Sequence, residues 1–249
     1  MRYLTPEELK SSGRAEAKEI LEYCAGKNVK YDFALKVFLK YSRELGLGKD
    51  AAVLDVGTAS GAFLKQIHQN GYRNLYGHDI DDYTPQENKK LLKDYKLCDL
   101  GTEKLPWPDN FFDVITAWCV LPHLENPFYA SRELKRVLKP GGIFVFTTPH
   151  ITSRPSIDFF LKRGYFASYR PTNNHIALLP KSVLEKTVFR GFDHIGTEYL
   201  VTPKIFGGLK GKIRKAVSAI ASRNENWARK LAGRWAYNIC YVIQKQNPE

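Results

Sequence analysis

Four short apolar runs alternate with segments of helical periodicity between residues 51 and 149. Each run is apolar almost without interruption, as expected for the strands of a parallel sheet that is covered on both faces. We therefore predict strands over 51–56, 74–80, 111–120 and 142–149. Strands that alternate with helices in this way form βαβ units, and such units predict an α/β fold.

Helices are predicted between and around these runs. The segment 60–70 has three apolar residues on one face and ends at Gly71, and the segment 126–139 ends at a Pro-Gly-Gly sequence. Further helices are predicted over 5–22, 31–45 and 180–190, the first opened by a capping box from Thr5 to Glu8. Two more strands are expected near 193–200 and 236–244.

Composition excludes several classes of protein. The 249 residues are 43% hydrophobic with ordinary glycine and proline usage, so the chain is neither disordered nor collagen-like. It has no run of about 18 apolar residues, the length that a spanning helix needs. The charged N-terminal stretch has no apolar region of the kind found in secretory signals, so we expect a cytoplasmic protein.

The four cysteines, Cys24, Cys98, Cys119 and Cys240, lie far apart and form no CxxC pair. This spacing argues against a zinc site and against a disulfide framework. We expect the cysteines to be small buried hydrophobic residues.

Positive charge is concentrated in one segment. Residues 201–235 hold nine Lys or Arg against one Glu, a net charge of +8 out of +12 for the whole chain. Apolar residues recur there at helical spacing among the basic ones, which predicts a basic amphipathic helix. Three interpretations stay open: contact with anionic lipid, contact with RNA phosphates, or a helix packed on the domain with a solvated basic face.

The turn after the first strand carries the clearest chemical signal. Small residues such as Gly57 and Gly61 allow a tight turn into a helix whose free N–H groups face a ligand. The dinucleotide pattern GxGxxG is not present, because Ala59 stands at its second glycine, so NAD and FAD are disfavoured. Asp79 ends the second strand, 24 residues after Asp55, near the spacing at which an acid holds ribose hydroxyls.

Four further motifs follow in order along the chain: Cys98-Asp99-Leu100, LPWPDNFFDVI over 105–115, LPHL over 121–124 and ELKRVLKPGG over 133–142. With the glycine turn and the acid at the end of the second strand, this region resembles the class I S-adenosylmethionine-dependent methyltransferases continuously over residues 51–149. The resemblance implies a single Rossmann-like methyltransferase domain with a seven-stranded, mostly parallel sheet and helices on both faces. It divides the chain into N-terminal helices (1–47), a cofactor-binding core (48–149), a substrate lid (150–179), the rest of the sheet (180–200 and 236–249) and a basic helical insertion (201–235).

The same resemblance implies S-adenosylmethionine as the cofactor and assigns positions to it. Asp55 would engage the methionine amino end through the turn, Asp79 would hold the ribose, and Ile80 would pack on the adenine. The other implied cofactor residues are Gly57, Thr58, Gly61, Asp99, Leu100, Ala117 and Trp118.

Methyl transfer to a hydroxyl also needs a base, and two histidines follow predicted strands at the edge where α/β ligands bind. These candidates are His123 and His150. Ubiquinone-pathway O-methyltransferases, which this region also resembles, carry acids in an E-x-x-E-H run that can bind a divalent metal. Here Cys119 and Pro122 stand at the positions of those acids, so we expect no metal.

The predicted lid combines arginines with aromatic residues. Its candidate substrate residues are Arg154, Tyr165, Tyr169, Arg170 and His175. Their pattern resembles methyltransferases of polysaccharide and glycolipid gene clusters, and arginines beside aromatic rings suit an anionic acceptor with a flat or sugar face. A lid held together by aromatic packing, with solvated arginines, is the structural alternative.

The expected function is therefore methyl transfer from S-adenosylmethionine to oxygen on a small, glycan or lipid-linked anionic acceptor. If the basic insertion contacts anionic lipid, the protein would lie peripherally at the inner face of the membrane. RNA methylation, which would use that insertion, is the enzymatic alternative. A non-catalytic module that only binds the cofactor is the alternative of another class.

Overall fold

A computed structural model describes residues 29–200, 230 and 233–247 of the chain. Seven strands form one sheet: β1 (Val53–Val56), β2 (Leu75–Asp79), β3 (Asp94–Leu97), β4 (Phe112–Trp118), β5 (Leu138–Pro149), β6 (Phe192–Leu200) and β7 (Asn238–Lys245). Their order is β3-β2-β1-β4-β5-β7-β6. Neighbours among β1 to β5 pair in parallel, and β7 runs antiparallel to both β5 and β6. The predicted α/β fold with a seven-stranded, mostly parallel sheet is confirmed.

Six helices have both ends within the part of the chain that the structure describes, and residues 230 and 233–235 are also helical. The six helices are α1 (Val29–Glu44), α2 (Ala62–Gln69), α3 (Gln86–Lys89), α4 (Pro127–Val137), α5 (Arg154–Arg163) and α6 (Lys181–Lys186). A 3-10 helix, Leu121–His123, follows β4. The predicted helix 126–139 ends earlier than expected, at Val137, because Leu138 already pairs with Phe112 of β4 and begins β5.

Some predictions lie outside the described residues. These are the helix over 5–22, the position of Cys24 and nearly all of the basic segment 201–235. The three interpretations of that segment, and the division of the chain into five parts, therefore stay predictions.

The sheet is covered on both faces because successive side chains of a strand point to opposite sides. In β5, Val145 packs in a core with α1 and α2, whereas Phe144 and Phe146 pack in a second core with α4 and α6. Full burial of such side chains contributes roughly 1.5–3 kcal/mol each. This double coverage explains why the strands are apolar without alternation, and it leaves the carboxyl ends of the strands as the open edge for a ligand.

One motif from the sequence has a structural role. Arg136 of α4 binds the Glu133 carboxylate, with a shortest distance of 2.8 Å, and the Asp109 carboxylate at 2.7 Å. Its guanidinium also donates to the carbonyl oxygens of Leu105 (2.9 Å) and Trp107 (3.0 Å). These bonds fix the loop before β4 onto α4. The charged residues of the LPWPDN and ELKRV motifs therefore hold the scaffold together.

Candidate active site

The turn between β1 and α2 has three residues in the left-handed backbone region. Gly57 has φ of 66°, Ala59 has φ of 48° and Gly61 has φ of 72°. A Cβ atom on Gly57 would lie 2.5 Å from Cγ2 of Val120, and one on Gly61 would lie 3.0 Å from Cγ2 of Thr84. Both glycines are therefore required by backbone conformation and by the closeness of their neighbours.

Asp79 ends β2 beside this turn and is 7% exposed. Its carboxylate accepts a backbone hydrogen bond from Ala59 at 2.7 Å and another from Ile80 at 2.8 Å. Burial raises the pKa of Asp79 to about 6, although these two bonds oppose the shift. Two of the roughly four acceptor positions of the carboxylate are thus used within the protein, which leaves positions for hydroxyl groups of a ligand.

Asp55 lies deeper, near the end of β1, and pairs in register with Thr116 of β4. The hydroxyl of Thr116 donates to the Asp55 carboxylate at 2.6 Å. Burial raises the pKa of Asp55 well above its usual range, and the charge of Asp79 raises it further. The two acids are thus electrostatically coupled beneath the glycine turn.

Thr58 holds the turn in place. Its buried hydroxyl donates to the backbone oxygen of Asp55 at 2.7 Å and accepts from the backbone N–H of His78 at 3.0 Å. The side chain therefore joins β1 to β2.

The loop after β3 brings Asp99 and Leu100 to the same edge. The residue before Asp99 donates its backbone N–H to the carbonyl oxygen of Asp79 at 3.1 Å. The Asp99 carboxylate accepts from the backbone N–H of Gly101 at 2.8 Å and from the hydroxyl of Thr102 at 3.0 Å, and Leu100 is buried. This loop is thus ordered by its own side chains next to the end of β2.

Ala117 and Trp118 lie at the end of β4. Ala117 is fully buried in the core. The Trp118 ring packs edge-on against Phe63 of α2, with centroids 5.2 Å apart. Trp118 therefore supports the helix that follows the glycine turn.

The two candidate bases lie in different surroundings. His123 ends the 3-10 helix after β4, and its ring centroid lies 4.4 Å from that of His175 in the predicted lid. His150 follows β5 and packs against Tyr199 of β6 at 5.6 Å, and burial lowers its pKa. The structure thus places His123, and not His150, against the predicted substrate residues.

The side chain of Cys119 lies close to the His123 and His175 rings. The Sγ atom of Cys119 lies 3.7 Å from Nε2 of His175. One possible ligand atom from each of Cys119, His123 and His175 lies within 4.8 Å of the other two. We call these three residues the Cys-His-His cluster.

The outer part of the lid is held by its own contacts. Arg154 forms an exposed ion pair with Asp158 at 2.8 Å. The guanidinium of Arg170 lies 5.3 Å from the ring centroid of Phe159, and the Tyr165 ring packs against the same phenylalanine at 5.8 Å. Two of the predicted anion-binding arginines are therefore engaged within the lid.

The inner part of the lid rests on the 3-10 helix. The carbonyl oxygen of Pro122 accepts from the backbone N–H groups of Ile176 at 2.8 Å and Ala177 at 2.9 Å. The Tyr169 hydroxyl donates to the carbonyl oxygen of Ala177 at 3.0 Å, and its ring lies 5.5 Å from that of His175. Tyr169 and His175 are thus positioned over the end of β4.

Comparison with known proteins matches residues 54–146 to the family model described as a methyltransferase domain. The matched region contains the glycine turn, both acids and the motifs around α4. This part of the chain is a methyltransferase domain of the class I S-adenosylmethionine-dependent type. S-adenosylmethionine is accordingly the cofactor of this methyltransferase enzyme domain.

Curated relatives are similar to this chain over about 100 residues. The chain is 36% identical over 100 residues to a ubiquinone/menaquinone biosynthesis C-methyltransferase UbiE of Paraburkholderia xenovorans, covering 36% of this chain and 40% of the relative. It is 30% identical over 109 residues to the sterol 24-C-methyltransferase ERG6B of Gibberella zeae, covering 41% and 29%. The chain thus spans less than half the length of these curated relatives.

Solved structures share the fold at low sequence identity. The solved structure of a putative methyltransferase from Bacillus halodurans has a TM-score of 0.55 and 18% identity, covering 84% of this chain and 98% of that one. An S-adenosylmethionine-dependent methyltransferase from Archaeoglobus fulgidus has a TM-score of 0.54 and 17% identity, covering 85% and 93%. These likenesses support the fold of the methyltransferase.

The site has features that fit S-adenosylmethionine. The glycine turn leads directly into α2, whose first turn has N–H groups without partners inside the helix and receives no side-chain cap from Gly61. A buried carboxylate with remaining acceptor positions lies next to it at the end of β2. A cofactor that carries a ribose and an amino acid group would find acceptors and donors there of the right kind.

Sequence reasoning missed several residues that shape the methyltransferase site. Thr116 is the partner of Asp55, Val120 lies over Gly57, and Cys119 joins two histidines that the sequence had placed in separate groups. Thr116 lies in a predicted strand, but the pairing of that strand with β1 was not predicted. The contact of Cys119 with His175 spans 56 residues and had no local signal.

Within the described residues, the methyltransferase has no helix that is both long enough and apolar enough to cross a membrane.

Proposed function

We propose that this protein transfers the methyl group of S-adenosylmethionine to an oxygen of a small, lipid-linked acceptor. The observation that carries the choice of acceptor is an apolar stripe on the lid. Ile157, Phe160 and Leu161 of α5 are 39%, 40% and 76% exposed and lie three and four residues apart, hence on one helical face. Ile176 and Leu178 of the lid are also exposed. An exposed apolar patch of this kind is typical of a surface that binds an apolar partner.

The contacts within the lid give less support to the expectation that the acceptor is anionic. Arg154 is paired with Asp158 and Arg170 stacks on Phe159, so both guanidinium groups already have a partner within the lid. We therefore assign binding of the acceptor mainly to its apolar portion. The relatives named for ubiquinone or menaquinone biosynthesis and for sterol 24-C-methylation support an acceptor of this type.

The cofactor would lie along the carboxyl edge of β1, β2 and β4. Asp79 would accept hydrogen bonds from the ribose hydroxyls, and Ile80 with Asp99 and Leu100 would surround the adenine. Asp55 would act on the methionine end through the turn that carries Gly57. Thr58 and Trp118 would shape this site by holding the turn and α2, as their contacts indicate.

The reaction itself needs alignment more than activation of the cofactor, because a sulfonium is already a good leaving group. As the acceptor oxygen attacks the methyl carbon, the carbon–sulfur bond breaks and its electron pair goes to sulfur. The acceptor hydroxyl loses its proton in the same process. The Cys-His-His cluster lies where the lid meets the end of β4. We assign to this cluster the role of promoting the loss of this proton from the acceptor hydroxyl.

Transfer to carbon is the second candidate. It is favoured by the curated relatives, which are named as C-methyltransferases. The two candidates share the cofactor and the lid and differ only in the acceptor atom.

The test is transfer of a labelled methyl group to defined fractions. The full-length protein is incubated with S-adenosylmethionine carrying a tritiated methyl group and with a lipid extract, a water-soluble glycan fraction or total RNA. We expect label in the lipid fraction, and nuclear magnetic resonance of the product distinguishes a methoxyl from a C-methyl group. Label confined to RNA would contradict the proposal.

Two variants give this test its controls. Asp79→Ala removes the proposed ribose contact and should abolish labelling, whereas Asp32→Asn changes an exposed acid on α1 and should leave it intact. Calorimetry with S-adenosylmethionine and S-adenosylhomocysteine should show binding of both by the wild type. Binding without transfer to any of the three fractions would favour a non-catalytic module.

A further inference from the structure

We propose that Cys119, His123 and His175, the Cys-His-His cluster, bind a zinc ion at the junction of the lid and the 3-10 helix. The cluster supplies one thiolate and two imidazoles, a set of ligands that zinc prefers. All three residues are half-buried, so an ion has access to them from solvent.

The distances suit tetrahedral coordination. Ligands at 2.3 Å for sulfur and 2.0–2.1 Å for nitrogen, arranged on a tetrahedron, put sulfur and nitrogen roughly 3.6 Å apart. The observed separation of Cys119 Sγ and His175 Nε2 is 3.7 Å. The third ligand atom, from His123, lies within 4.8 Å of both, and the His123 and His175 rings are only 4.4 Å apart.

The orientation of His175 is already that of a metal ligand. Its Nδ1 lies 2.6 Å from the carbonyl oxygen of Ser168. A carbonyl oxygen only accepts hydrogen bonds, so Nδ1 carries the proton and Nε2 presents its lone pair towards Cys119. Metal-binding histidines commonly use their second ring nitrogen in this way, since the bond fixes both tautomer and ring direction.

The placement of the cluster gives the ion a role in the lid. Cys119 lies between β4 and the 3-10 helix and His123 ends that helix, whereas His175 belongs to the lid. The backbone of the lid is already held there by two hydrogen bonds to Pro122. Zinc would therefore tie the lid to the carboxyl end of the sheet.

A consequence for the reaction rests on the proposed function. Three protein ligands leave a fourth position open, as in catalytic zinc sites. An acceptor hydroxyl bound there would lose its proton to solvent more readily, because zinc stabilises the resulting oxyanion. The oxyanion would then attack the methyl carbon, with the electron pair of the broken bond going to sulfur. His123 would serve in this arrangement as a ligand of the ion.

The sequence led us to expect no metal: the cysteine spacing argues against zinc, and the missing acids argue against magnesium, which needs oxygen ligands. The zinc proposal depends on contacts that the sequence does not display. Cys119 and His123 are separated by three residues, but the third ligand is contributed by the lid 52 residues beyond His123.

The test measures metal binding directly. Full-length protein without a histidine tag is stripped with a chelator and titrated with zinc in competition with a chromophoric indicator. We expect one equivalent bound with submicromolar affinity. In a parallel titration with cobalt, the wild type should show the near-ultraviolet charge-transfer band of a thiolate ligand, which identifies the cysteine without any substitution.

Variants assign the ligands. Cys119→Ser and His175→Gln should each weaken zinc binding by at least about 100-fold. The matched controls are Cys98→Ser and His194→Gln. Cys98 also lies beside a histidine, with Sγ 3.1 Å from Nε2 of His78, and His194 is exposed on β6. Both controls should bind zinc as the wild type does.

Absence of saturable zinc binding by the wild type would overturn the proposal, as would binding that neither Cys119→Ser nor His175→Gln weakens. Calorimetry with S-adenosylmethionine on the same preparations separates this result from failure of the proposed function. Cofactor binding and methyl transfer without zinc would refute the metal site alone. Zinc binding without methyl transfer would refute the proposed function alone.

Discussion

With Asp79 assigned to the ribose as proposed above, its burial predicts how cofactor affinity depends on pH. Its pKa is raised to about 6 by burial. Ribose hydroxyls would donate to the ionised carboxylate of Asp79. At low pH this carboxyl group is protonated in the free protein, and it must lose that proton when the ligand binds. Binding should then weaken about tenfold for each pH unit below 6, which predicts roughly tenfold weaker binding at pH 5 than at pH 8.

The assay is isothermal titration calorimetry with 5′-methylthioadenosine between pH 5 and 8. This fragment keeps the ribose and the adenine and lacks the amino acid group, whose own titration would complicate the result. Repeating the titration in buffers of different ionisation enthalpy counts the protons released. We expect close to one proton released per ligand at pH 5 and almost none at pH 8.

Unfolding does not account for the predicted loss of affinity. The folded pKa of Asp79, about 6, lies above its unfolded value of about 3.9. The contribution of Asp79 to the free energy of unfolding is therefore fully present below about pH 4. It is lost as the pH rises through about 6. Asp79 thus makes the unliganded protein more stable at pH 5 than at pH 8, which thermal denaturation can verify.

The control is Asp79→Asn, which is uncharged over the whole range. It should bind the fragment more weakly than the wild type at pH 8 and show no dependence on pH. The reasoning would be refuted if wild-type affinity changed less than about twofold between pH 5 and 8, or if the variant showed the same slope as the wild type.

Three further predictions concern stability and are measured by urea denaturation. Gly57→Ala should destabilise the fold more than Gly164→Ala: both incur about 1–2 kcal/mol for a left-handed alanine, but only the Cβ at Gly57 meets a side chain at 2.5 Å. Equal losses would show that this contact relaxes freely. Thr116→Val should cost about 1–3 kcal/mol because it leaves a buried carboxyl without its hydroxyl partner, and Thr116→Ser should restore most of it. Arg136→Lys should cost about 2 kcal/mol, because lysine cannot make the same set of fixed bonds. Arg132→Lys, at an exposed position of the same helix, should change stability by less than about 0.5 kcal/mol, and a similar loss in both variants would contradict the assigned role.

Strands and helices could be predicted from the sequence where their side chains are completely buried. The apolar runs of β1, β2, β4 and β5 are buried on both faces, so their hydrophobicity has a single structural cause. β3 was not indicated because it lies at the edge of the sheet and is half-buried or exposed throughout. α5 was not indicated either: its apolar residues are largely exposed, and Ser156 is its only buried member.

The cofactor side of the site was similarly visible. Gly57, Gly61 and Asp79 are within 25 residues of one another along the chain, and each is required by a local conformation or by the end of a strand. Their conformations and positions follow from backbone geometry, which short stretches of sequence determine. Thr58 and Trp118 were named with them, and their contacts show that they support the turn and the helix.

The sequence by itself thus determined the α/β fold, the resemblance of its core to methyltransferases and the glycine turn, because regular burial and tight turns leave patterns over a few neighbouring residues. Only the tertiary structure decided which side chains meet on the acceptor side. His175 approaches Cys119 and His123 because the lid folds back and its backbone binds Pro122. Contacts between segments more than 50 residues apart depend on packing in three dimensions, and no local pattern of residues encodes them.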